Sequence, residues 1–161
     1  MMAPGDSDMT PTFDGFTAVD FPPLKNFAPI HADGFVYTLF WCHSGLDVPF
    51  YVGETGRLVE RMNDYCVAGF RACTDFRAGE AIRYLREVKN YRIVARYKPS
   101  ESRKNDEKNL IRQLLLLGVR LLNSFPSYNY RVANETDERT AIQNYCDMLI
   151  KFENSGLEKL G

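Results

Sequence analysis

The stretch from Gly34 to Tyr65, GFVYTLFWCHSGLDVPFYVGETGRLVERMNDY, constrains the fold more than any other part of this chain. Phe35 to Trp41 is a run of β-branched and aromatic residues, the composition of a half-buried strand. His43 to Pro49 contains Gly45, Asp47 and Pro49, the chemistry of a turn or short loop, and Phe50-Tyr51-Val52 resumes the strand. Gly53 and Gly56 let the backbone turn sharply. Beyond them Leu58, Arg61, Met62 and Tyr65 recur at three- and four-residue spacing, so they share one face of a helix.

The flanking segments complete a small α+β domain. Residues 1–33 are rich in Pro, Asp and Gly, and Phe13 to Phe27 reads as an extended arm across the core. Ala78 to Lys89 has Ala81, Ile82, Leu85 and Val88 on one helical face. Tyr91 to Tyr97 alternates apolar with mostly basic residues, a strand with one wet, positive face. A third helix follows Pro99, with Ser100 or Ser102 as N-cap, and Leu110, Ile111, Leu114, Leu115 and Leu117 facing inward. Gly118 is its expected stop. A last helix is expected from Thr136, with Asp137 and Glu138 in its first turn and a stripe of Ala141, Ile142, Tyr145, Leu149 and Phe152. The order predicts a three-stranded, antiparallel-containing sheet flanked by helices. Residues 1–33 form an arm, 34–123 the core and 124–161 a C-terminal helical extension. At 161 residues all of this is one domain.

A net charge of −1 argues against a nucleic-acid partner until its distribution is read. Residues 1–56 have one Lys or Arg and seven acids; residues 57–112 have fourteen against eight, net +6. The basic segment holds most of the chemistry-bearing residues, as phosphate binding requires. Cys42, Cys66, Cys73 and Cys146 have neither CxxC nor zinc-ligand spacing with the two histidines and read as reduced thiols. No apolar run approaches a membrane span and the N-terminus lacks a signal-peptide pattern, so a cytoplasmic protein with no membrane partner is expected.

Glu107 stands out. It precedes Leu110 and Ile111 by three and four residues, so it projects from the face its helix buries. A carboxylate there is costly unless paired or bound to a metal. It reads either as a ligand of a hard divalent cation such as Mg²⁺, or as an ion-pair partner of Arg61 or another basic residue. Arg61 shares a helical face with Leu58 and Tyr65 and points toward the sheet, where its guanidinium matches phosphate oxygens. Tyr37 and Tyr51 bring phenolic hydroxyls to adjoining strands.

These residues form an ordered set: Phe35-Val36-Tyr37, Tyr51-Val52-Gly53, Arg61 eight residues after Gly53, Glu107-Lys108-Asn109-Leu110-Ile111, and Leu121-Leu122-Asn123. The set resembles the GIY-YIG nuclease superfamily over roughly Gly34 to Asn123. The resemblance implies a metal-dependent DNA endonuclease with Mg²⁺ on Glu107, Mn²⁺ substituting. It implies Arg61 on the scissile phosphate, Tyr37 as general base and Tyr51 orienting water or phosphate. Tyr65 stands where many members have His, and would meet the phosphate or the leaving oxygen. Asn123 corresponds to the family's Asn after a Leu pair, holding a loop beside the substrate. Some relatives have a Lys near the tyrosines; here none occurs between Lys25 and Lys89, and Arg57 is left to supply that field. Arg57, Arg71, Arg77 and Arg131 are candidate contacts to double-stranded DNA. The chain's size fits the compact restriction-type enzymes, where a palindromic site would call for a homodimer. Two alternatives stand beside this: a single-strand DNA or RNA nuclease with the same site, and a non-catalytic nucleic-acid- or protein-binding module.

Overall fold

The computed structural model describes residues 13–21, 32–67, 73–125 and 134–160. Four antiparallel strands, β1 (Thr17–Phe21), β2 (Phe35–His43), β3 (Leu46–Thr55) and β4 (Arg92–Pro99), form one sheet in the order β1-β4-β2-β3. Four helices pack on it: α1 (Leu58–Val67), α2 (Cys73–Arg83), α3 (Arg103–Leu116) and α4 (Glu135–Leu160). The α+β class is as expected. The sheet has one strand more than three, because part of the N-terminal arm pairs with β4, Thr17 opposite Tyr97 through Phe21 opposite Ile93. Nothing in TAVDF announces this strand; only a partner edge makes it one.

The hairpin is tighter than its composition suggests. Ser44 and Gly45 both take positive φ, as a two-residue type I′ turn requires, so β3 begins at Leu46 rather than after a loop to Pro49. The register shifts between Leu39 and Phe40, which lie opposite Tyr51 and Pro49, leaving Phe50 as the extra residue of a bulge. Pro49 cannot donate to a ladder, and a bulge on an edge strand is where that omission is tolerated.

Strand alternation sorts the side chains into two layers. Phe35, Tyr37, Leu39 and Trp41 of β2, with Ile93 and Ala95 of β4, join the main core against α1, α2 and α4. Val36 and Val52 face the opposite way, onto Leu110 and Leu114 of α3 and onto Val119 and Leu121. Ile111 and Leu117 are partly buried there, but Leu115 is exposed. Gly118 (φ +86°) ends α3 as expected. At the start of α3 Ser102 occupies the N-cap position without a side-chain cap; Ser100 Oγ instead accepts from the Ser102 amide and donates to Asp106.

α2 begins earlier than the expected Ala78, and Tyr84–Val88 continues it as a π-turn. α4 begins one residue before Thr136, capped by Asn134, whose Oδ1 accepts from the Asp137 amide (2.8 Å). Its buried stripe is Ile142, Cys146 and Leu149; Ala141 is exposed, and Cys146 takes its place. Burial pushes the Cys146 thiol up to about 12, so it packs as a small apolar group. Cys42 and Cys66 are also free thiols. No helix among the described residues is long and apolar enough to cross a membrane.

Candidate active site

The site is built where α1 crosses the β2–β3 hairpin. Tyr37 stands on β2, directly opposite Gly53 of β3. A Cβ at position 53 would overlap the Tyr37 phenol, so the glycine lets that ring lie flat across β3. Tyr51 follows on the same face of β3, and Tyr65 descends from α1. The Tyr37 and Tyr65 hydroxyls share a hydrogen bond. The Tyr51 and Tyr65 rings meet edge to face with centroids 6.3 Å apart. Arg61, one helical turn before Tyr65, reaches the same cluster, and its charge bears on all three phenols.

Burial makes these phenols weak acids. Desolvation raises Tyr37, and the nearby Tyr51 raises it further, outweighing help from Tyr65 and Arg61. Tyr65 is likewise pushed well up by burial and by its two phenol neighbours. Tyr51 is raised by burial, partly offset by Tyr65, and the charge of Glu107 adds to the rise. Tyr37 is 1% exposed and Tyr51 8%. The expected base, Tyr37, is thus a protonated hydroxyl sealed inside the core, while Tyr51 is the most exposed of the three.

Arg61 does not pair with Glu107. Its Nη1 donates to Asp75 Oδ1 at 2.7 Å, and both side chains remain partly exposed. Asp75 was not among the expected site residues, since it lies where a loop, not the first turn of α2, was expected. Gly79 is the one signal that could have placed it: a Cβ there would overlap the Tyr65 carbonyl, so α2 packs directly on α1 and carries Asp75 to Arg61.

Glu107 lies on α3, in the other layer, and reaches this cluster only at β3, where its charge bears on Tyr51. It is half-buried and, among the described residues, makes no hydrogen bond or ion pair. Burial raises its carboxyl and the neighbouring Glu54 raises it further, outweighing the opposing charge of Lys108. Arg103, four residues earlier on α3, is engaged with Glu54 instead, its Nε 2.7 Å from Oε2. A desolvated carboxylate with a like charge beside it, no ion pair and only the partial offset of Lys108 is chemistry that a divalent ion fits. The described residues contain no group of three His, Cys, Asp or Glu arranged for a metal, so water and substrate oxygens would have to complete the shell.

The expected substrate contacts divide. Arg57 is 78% exposed, with only a loose approach to Glu60 (3.9 Å). Arg77 is 7% exposed, its guanidinium 5.1 Å from the Phe125 ring centroid, so it belongs to the packing and not to a binding surface. Asn123 is spent on the backbone: Oδ1 accepts from the Val52 amide (2.9 Å) and Nδ2 donates to the Val52 carbonyl (2.7 Å). It closes the outer edge of β3, much as another strand would. Arg71 and Arg131 lie outside the described residues.

No family model, curated protein or solved structure matches this chain.

Proposed function

We propose that the chain is a metal-dependent endonuclease acting on DNA, of the GIY-YIG kind. The observation that carries the reading is the convergence of Tyr37, Tyr51, Tyr65 and Arg61, with Tyr51 within electrostatic reach of a half-buried carboxylate, Glu107, that makes no ion pair and is only partly offset by Lys108. A cluster kept only for packing would have no need to leave that charge so weakly compensated.

In the proposed reaction a water oxygen attacks phosphorus in line as the bond to the leaving oxygen breaks. The attacking water gives up a proton to solvent and the leaving alkoxide gains one, so the charge to be stabilised is the one that builds on the phosphate. Arg61, positioned by Asp75, offers fixed donors to the non-bridging oxygens. The Tyr51 hydroxyl orients the attacking water. Tyr37 works through Tyr65, holding its hydroxyl by their hydrogen bond, so that Tyr65 presents a proton toward the leaving oxygen. This moves the water-facing role from Tyr37 to Tyr51. A divalent cation held by Glu107, Mg²⁺ or Mn²⁺, would supply positive charge beside the phosphate when bound.

Plasmid DNA incubated with Mg²⁺, with Mn²⁺ and with EDTA, using wild type and Glu107→Ala, tests the reading. Metal-dependent cleavage that the substitution abolishes is expected; discrete fragments would mark a restriction-type enzyme. Equal cutting by both proteins would sink the role of Glu107. Binding without cleavage of DNA or RNA, single- or double-stranded, would favour the non-catalytic module.

A further inference from the structure

α3 exposes a row of cations on the face opposite its buried Leu110 and Leu114. Lys104, Lys108 and Arg112 recur every four residues, all exposed, and among the described residues none is in an ion pair, a hydrogen bond or a contact over a ring. Most other basic side chains in this structure are committed. Arg92 pairs with Asp20 and Arg96 with Asp47, while Arg96 and Lys98 lie over Phe40 and Phe16. Arg83 and Arg139 hold Glu80, Lys89 holds Asp147, and Arg120 covers Phe152. The wet, positive face expected on β4 is therefore neutralised and used as cover; Arg57, Arg86 and Lys151 stand singly, and the row of available charge is on α3.

The spacing suits a regular polyanion. Each four-residue step advances about 6 Å along a helix, and each strand of a duplex presents a phosphate about every 3.4 Å of its axis. Asn105, Asn109 and Gln113 form a parallel exposed row of amides able to donate alongside the cations. Glu107 lies about a quarter turn around the helix from Lys108, so a strand seated on the row has the candidate carboxylate at its flank. We propose that this face of α3 seats the backbone of duplex DNA, with Lys104, Lys108 and Arg112 on phosphates. The identity of the partner rests on the nuclease reading; the row itself does not.

The test is equilibrium binding to a short random-sequence duplex in EDTA, measured by fluorescence anisotropy across a range of salt. Wild type is compared with Lys108→Gln and with the triple variant Lys104→Gln/Lys108→Gln/Arg112→Gln. Gln keeps the helix propensity of these exposed positions, and circular dichroism checks the fold. Each lost phosphate contact should lower the slope of log affinity against log salt by about 0.9, so the triple variant should lose roughly 2–3. Unchanged slopes in both variants would overturn the proposal, as would equally tight wild-type binding to polyglutamate, which would make α3 a face for acidic peptides. Because EDTA silences the metal, the result is independent of catalysis. If wild type with Mg²⁺ or Mn²⁺ cleaves no nucleic acid, the nuclease reading fails while the slope result stands.

Discussion

Glu80 and Glu107 are the same residue type in opposite circumstances. Glu80, on α2, is 3% exposed and accepts from Arg83, Arg139 and Gln143, while Arg139 also covers the Phe76 ring. Burial by itself would raise its carboxyl, but Arg83, Gln143 and Arg139 outweigh burial and hold it below the usual range. Glu107 is less buried, has no such partners, and is shifted the other way by burial and Glu54. The deeper charge is the comfortable one. Burial depth does not set a carboxylate's comfort; the strength of its compensating partners does.

The largest effect should fall on Glu80. Glu80→Ala removes the hydrogen bonds of three side chains to a buried carboxylate, while Arg83 and Arg139, partly exposed, keep Glu87 and Glu135; it should cost about 2–4 kcal/mol of stability in denaturant unfolding. A loss within about 0.5 kcal/mol, typical of surface substitutions, would erase the contrast. Next come Glu107→Ala and Arg61→Ala. Each should lower cleavage by at least about a hundredfold, in the range seen when one transition-state donor is removed, with the circular dichroism spectrum kept. If either protein unfolds instead, its side chain belongs with Glu80 as architecture.

Gly53→Ala should have an intermediate effect. The added methyl must displace the Tyr37 phenol, costing about 1–3 kcal/mol as overpacking does, and it should also reduce cleavage by disturbing the Tyr37–Tyr65 pair. Wild-type stability together with reduced activity would separate the two consequences.

The smallest effect distinguishes the two carboxylates by pH. Glu80 has a lowered folded pKa, so its contribution is present at neutral pH and lost as pH falls through that value. Glu107 has a raised one, so its ionisation works against the fold above that value. Glu107→Gln should raise the thermal midpoint by roughly 1–2 °C at neutral pH, a few tenths of a kcal/mol, while abolishing cleavage. The gain should vanish in acid, where the wild-type carboxyl is protonated too. A destabilised Glu107→Gln protein would mean that this carboxylate has a partner in the fold after all.

Much of the frame was legible in local pattern. The aromatic run of β2, the glycine exit from β3, the face of α1 and the Gly118 stop all follow from residues within a turn or two of one another. Arg61 and Tyr65 sharing a face needed only helical spacing. What stayed hidden involves partners far apart in sequence. Asp75 meets Arg61 because Gly79 seats α2 on α1, and Asn123 meets Val52 across 71 positions. The basic alternation of β4 read as a free positive face because the acids that neutralise it, Asp20 and Asp47, belong to other strands.

The sequence by itself determined the two strands of the hairpin and most of the helical faces, because periodicity and turn chemistry act over a few residues. Only the tertiary structure decided which charges are spent and which remain. Ion pairs depend on distances of a few ångströms between elements brought together by packing. Fourteen basic residues between positions 57 and 112 look alike in the chain; in the fold Arg83 anchors Glu80, Arg61 leans on Asp75, and Lys104, Lys108 and Arg112 stand exposed and without ion pairs on α3.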